Sequence, residues 1–189
     1  DHIQLRGGYA RGFRAPQAFN EDLHISSVGG EPLFVILSDG LDKETSDAFT
    51  ASFDYTRFEG LQQINILVEG FFTLLNNPFT IVSTGSVLDN GSILEEVRNG
   101  VGAEVAGLNF EVNYSPSGLF LFSAGGTMQQ ANYQEEQVLF EPDASNDQDP
   151  VVATSRFIRQ PNTYGYFSSS FTPNEAFGLD LTGIYTGPM

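Results

Sequence analysis

Cysteine is absent from the 189 residues. That excludes disulfides, thiolate chemistry and Cys-ligated zinc. Basic residues are scarce, eight Lys and Arg against twenty-four Asp and Glu, for a formal charge of −16. Nucleic acid is excluded as a partner, because phosphate binding needs clustered Lys and Arg. No run of about 20 apolar residues occurs, so no membrane helix is expected. Only two histidines are present, His2 and His24. The chain opens with Asp1 and shows no signal-peptide pattern, as a mature product or a cut fragment would.

What is present is alternation. Leu108, Phe110, Val112 and Tyr114 oppose Asn109, Glu111 and Asn113, a strand with one apolar and one polar face. Ser115–Gly118 is expected to turn the chain into a second arm over 119–129. That arm places Phe120, Phe122, Ala124, Gly126 and Met128 on one side. Similar alternation predicts strands at Ile3–Tyr9, Ser46–Tyr55, Gln62–Leu75 and Phe177–Tyr185, with Tyr164–Phe171 a strand of undecided facing. Leu33–Leu37 is either a short strand or an apolar plug in a folded loop, and Phe79–Val82 is expected to prolong the 62–75 strand past a bulge. Asp89-Asn90-Gly91 signals a turn that could close a small hairpin of 86–88 with 92–94.

Short turns (57–60, 115–118, 173–175) thus alternate with long connections (14–45, 83–101, 130–161). The apolar faces are rich in Phe, Tyr and Gly, with no charged residue in their middle. Both features are expected of an outer-membrane barrel, where a basic residue at the bilayer midplane costs about 2–4 kcal/mol. The fold class expected is therefore all-β, with about seven antiparallel up-and-down strands of an incomplete transmembrane β-barrel. Periplasmic turns would be short and extracellular loops long.

Arg11–Pro16 (RGFRAP) and Leu41–Ser46 (LDKETS) make the chain resemble the TonB-dependent outer-membrane receptors. Leu41, Glu44, Thr45 and Ser46 fit that family's strand-opening segment. Asp42 and Lys43 stand where Lys and Pro are usual. Glu69–Thr73, Gly107–Glu111, the strand after Pro161 and Tyr185–Gly187 fit as well, and Gly12–Ile25 looks most like receptors of Bacteroidetes. The resemblance implies residence in the Gram-negative outer membrane and contact with its lipid. It implies uptake of a scarce nutrient (a siderophore, haem, cobalamin or a glycan), and partnership with a plug domain and TonB. It also implies that 1–189 is an interior piece of the C-terminal half of a single barrel domain. The plug, the TonB box and the terminal strands are expected to be missing from it.

Candidate contacts follow. Asp54, Glu69, Asn109, Glu111, Asn113 and Asp180 are expected to line a wet lumen, with Arg14 at the outer rim. Glu21, Asp22 and His24 lie in the first long connection. His24 is read there as loop packing, with a metal or metal-chelate contact as the rival reading. The tract 141–150 has oxygen ligands but lacks the 1-3-5 spacing and turn Gly of a calcium loop. Asn90-Gly-Ser and Asn113-Tyr-Ser match the glycosylation pattern by chance. No phosphate loop, dinucleotide fingerprint or nucleophile elbow occurs, and neither catalytic residues nor a cofactor or metal is assigned. Two rivals remain open: a free-standing small all-β ligand carrier with an apolar interior, and a barrel enzyme, which would need His with Asp or Ser partners.

Overall fold

The computed structural model describes residues 1–16, 33–140, 152–156 and 160–188. Every regular element among them is a strand. These are β1 (His2–Arg14), β2 (Leu33–Leu37), β3 (Glu44–Glu59), β4 (Gln62–Asn76), β5 (Phe79–Val87), β6 (Ile93–Asn99), β7 (Ala103–Ser117), β8 (Phe120–Phe140), β9 (Val152–Arg156), β10 (Thr163–Asn174) and β11 (Phe177–Thr186). The main sheet runs β1-β3-β4-β7-β8-β10-β11, with β9 added to β8. Among the described residues β1 and β11 stand at the two ends of this path. The seven expected strands are all on this path, in chain order.

The chain divides into two compact units. The first comprises Asp1–Ala10, Ala48–Leu74 and Ala103–Met189, and the second Arg11–Asp47 and Leu75–Gly102.

In the first unit, turns of two residues join consecutive strands. They are Gly60-Leu61, Gly118-Leu119 and Glu175-Ala176. Each expected turn was set too wide or too early. Hydrogen bonding carries β3 to Glu59 and β7 to Ser117, and β10 runs on through Pro173 to Asn174. Register shifts between Tyr114 and Ser117, and between Phe171 and Asn174, absorb the two prolines as bulges beside the turns. The larger correction concerns 130–161, expected as a loop. There β8 continues to Phe140, and β9 pairs with it antiparallel. Twenty-one residues at about 3.3 Å each extend far past a hydrocarbon layer of about 30 Å. Polar residues Gln130 to Gln137 fill the excess, which is why apolar alternation could not reveal it.

Register fixes the facing of β7, β8, β10 and β11. One row reads Glu111, Gly125, Tyr166, Ile184; the next row on the same face reads Asn113, Ser123, Ser168, Thr182. The opposite face carries Phe110, Gly126, Gly165 and Tyr185, then Val112, Ala124, Phe167 and Gly183. The undecided β10 therefore turns Tyr164 and Tyr166 to the polar face and Phe167 and Phe171 to the apolar one.

Aromatic rings stand directly opposite glycines in this register. Phe110 faces Gly126, and Tyr166 faces Gly125. A Cβ on Gly126 would lie 2.9 Å from the Phe110 ring and 3.0 Å from the Tyr164 carbonyl oxygen; one on Gly125 would lie 2.7 Å from the Tyr166 ring. The rings lie down over the gap that glycine leaves and cover its backbone. The same relation joins Phe167 with Gly183, and Phe71 with Gly107.

The second unit holds a sheet of order β2-β6-β5. Leu33–Leu37 is thus a strand, parallel to β6. Phe79–Val82 does not prolong β4. Asn77, with φ of 52°, turns the chain, and 79–87 pairs antiparallel with β6 instead. The 89–91 turn does close that hairpin, with Gly91 at φ 82°. The hairpin is longer than expected because its arms span 79–87 and 93–99.

Replacing Gly126 with Val should destabilise the complete barrel by about 1–3 kcal/mol, as overpacking does. Gly178→Ala should be neutral, because the nearest atom to its added Cβ is 3.8 Å away. Urea unfolding of the whole protein in detergent, followed by gel mobility, checks both.

Candidate functional site: the polar face and its inverted burial

Burial is inverted relative to a water-soluble domain. On the apolar face Leu108 is 54% exposed, Phe110 41% and Met128 55%. On the polar face Thr127 is 8% exposed and Gln129 9%. Among the described residues the buried hydrophobic side chains are only Ala103 and Ala131, and no large side chain is fully buried. An apolar face this wide and this open needs an apolar solvent or partner.

The polar face is knitted by side-chain hydrogen bonds that run across strands. Asn109 Nδ2 donates to Glu69 Oε1 at 3.0 Å, while Thr127 Oγ1 donates to Asn109 Oδ1 at 2.8 Å. β4, β7 and β8 are thereby joined in one chain of bonds. A second chain lies on the next two rows. Ser123 Oγ donates to Asn113 Oδ1 at 2.6 Å, and Asn113 Nδ2 to Glu111 Oε1 at 2.7 Å. Toward β1, Asn65 Nδ2 donates to Asp54 Oδ1 (3.1 Å) and Thr56 Oγ1 (2.9 Å), and Arg6 stands 3.9 Å from Asp54 Oδ2. That ion pair is half open to solvent and adds little stability. Asn side chains suit this role because one amide both donates and accepts.

The expected lumen residues thus fall on one face in part by register and in part by bonding. Asn109, Glu111, Asn113 and Asp180 share it by register, Asp180 opposite Ser170. Glu69 is bonded into the first chain and Asp54 into the third. Arg14 lies in the second unit, its guanidinium 5.3 Å from the centre of the Phe79 ring. Glu21, Asp22 and His24, like the 141–150 tract, lie outside the described residues. Among the described residues no three His, Asp or Glu side chains group to hold a metal ion.

Sequence reasoning missed Tyr164, Tyr166 and Leu67. With Glu111 they border a hollow of about 810 Å³ on this face. The Ser-rich alternation of β10 hid the facing of the tyrosines; their pairing with Thr127 and Gly125 discloses it.

The geometry is that of a barrel wall with a wet side and a lipid side. The sequence profile of the TonB dependent receptor-like β-barrel family matches residues 1–188. The chain belongs to that family. Members are outer-membrane receptors rather than enzymes. No curated protein matches the chain. Among solved structures it is similar to a double mutant of the Serratia marcescens hemophore receptor HasR, in complex with its hemophore HasA and heme. The TM-score is 0.64 at 16% identity, over 97% of this chain and 30% of that one. Identity that low speaks for a shared fold alone, and the chain spans about 30% of that receptor's length.

Asn109→Ala should remove two bonds at once and leave the buried Thr127 hydroxyl without its acceptor. The expected loss is about 1–3 kcal/mol. A double-mutant cycle with Thr127→Val should show coupling of about 0.5–1.5 kcal/mol, and additivity would mean the bonded chain contributes nothing.

Proposed function

We propose that these residues form part of an outer-membrane receptor that takes up a scarce nutrient, driven by TonB through a plug domain carried elsewhere in the whole protein. The inverted burial is the observation that supports this reading best. Leu108, Phe110 and Met128 face outward to lipid, while Thr127, Gln129 and the bonded Asn and Glu side chains face a wet lumen. A small soluble carrier would need the reverse, with the apolar face closed over its ligand.

On this reading 1–189 is an interior segment of the C-terminal half of one barrel. The two-residue turns are periplasmic and the long connections extracellular. Arg14 stands at the outer rim. Asp54, Glu69, Asn109, Glu111, Asn113 and Asp180 line the lumen, where a few of them meet the plug or a passing solute. Glu21, Asp22 and His24 belong to an outer loop within reach of ligand. The nutrient is a siderophore, haem, cobalamin or a glycan, and the chain itself performs no chemistry.

An antibody to this chain should detect a band several-fold larger than 20.6 kDa in outer membranes of the source organism. A soluble band at the chain's own mass would sink the receptor reading. Growth of a deletion strain on each nutrient as a sole source, with and without the energising TonB, then assigns the solute.

A further inference from the structure

We propose that Asn99 bolts two of the long connections into one rigid body, so that they hold or give way together. The joint lies wholly within the second unit. It goes beyond the receptor reading and does not depend on it.

The sheet of that unit draws on two connections. β2 belongs to the first, between Arg14 and Glu44, while β5 and β6 belong to the second, between Asn77 and Gly102. β5 and β6 form a hairpin that is closed at each end. Leu88 N donates to Ser92 O at 2.8 Å across the turn, and Gly100 N donates to Pro78 O at 2.7 Å at the far end. β2 instead pairs with β6 in parallel, over the five residues Leu33 to Leu37. No tight turn can close a parallel pair. Ser38 N carries the ladder one bond further, to Val97 O at 3.0 Å, and the chain then turns through Asp39 and Gly40. A pair this short is marginal by itself.

Asn99 supplies the missing closure. Its Oδ1 accepts from the Asp42 N–H at 2.8 Å, and its Nδ2 donates to the Asp42 carbonyl at 2.9 Å. One amide thus pairs with both backbone groups of a single residue, as a strand neighbour would. The same Nδ2 donates to the Asn77 carbonyl at 2.9 Å. Asn77 is the left-handed residue that parts β5 from β4. The side chain therefore grips the end of the first connection and the start of the second at once. Both donors of the amide are spent, which a carboxylate could not reproduce. Two further ties act at Phe79. Glu44 Oε2 accepts its N–H at 3.1 Å, and the Arg14 guanidinium stands 5.3 Å from its ring centre. Both roots of the first connection thus hold the second, and a contact that fixes either connection fixes both.

Hydrogen exchange of the full-length protein in detergent, read by mass spectrometry, tests this. Asn99→Asp keeps the acceptor and loses both donors. Asn90→Asp is the control, because Asn90 uses its Oδ1, which Asp retains, to accept from the Ser92 N–H at 3.0 Å. In Asn99→Asp the protected amides of β2, β5 and β6 should exchange at least about tenfold faster, and together. Those of β7 and β8 should keep their wild-type rates, as should every amide of Asn90→Asp. Heat-modifiable gel mobility verifies folding. Asn99→Ala, which loses the bonds without adding a charge, decides if Asn99→Asp does not fold. Unchanged rates, acceleration confined to β2 or to the β5–β6 hairpin, or acceleration spreading through β7 and β8 would each overturn the proposal. The amide would then be idle, serve one connection alone, or be an ordinary member of the whole fold. Failure of the receptor reading would appear separately, as a protein missing from the outer membrane, and would leave these rates as they are.

Discussion

Backbone pairing governs this molecule. Hydrocarbon offers no partner to an unpaired N–H or C=O, so a chain crossing it as strands must satisfy each group across the sheet. Along β7, β8, β10 and β11 the ladder does so with few interruptions, and the breaks fall beside the short turns. Side chains contribute in a second way. No large side chain is fully buried among the described residues, so cohesion comes from strand pairing and from neighbours across strands rather than from an interior core. The aromatic rings lying over Gly125, Gly126 and Gly183 are the clearest of these neighbours, because each ring needs the facing position to be bare.

The two faces then divide the remaining work. Apolar side chains stand open because their partner is lipid. Polar side chains of β3, β4, β7 and β8 are half-buried where they bond to one another through Asn109, Asn113 and Asn65. Bonded carboxylates such as Glu69 and Glu111 lend the wet face an acidic character, and Arg6 beside Asp54 answers it at one edge.

How much of this could be read from residue order differs by element. β7 was legible because Leu108–Tyr114 alternates without error between oil-facing and water-facing side chains. β10 was not, since Ser and Gly sit on either face without penalty; only its pairing with β8 set Tyr164 and Tyr166 on the polar side. The outer half of β8 was hidden for a related reason. Beyond the bilayer a strand has no apolar side to reveal, and Gln130–Gln137 looks like a loop until its neighbours are known. The 79–87 segment followed β4 so closely that it passed for its continuation. A single left-handed residue, Asn77, was enough to send it to another sheet.

Sequence by itself determined the class of solvent on each side of the strands, the number of strands on the main path, and the family, through RGFRAP and LDKETS. These are local or periodic properties, written in side-chain polarity every second residue. The tertiary structure alone decided which amide bonds which carboxylate and which ring covers which glycine. Those depend on register between strands, some of them forty or more residues apart, as Glu69 and Asn109 are. A one-residue slip in register would exchange the two faces of a strand, and pairing between strands fixes what no single strand encodes.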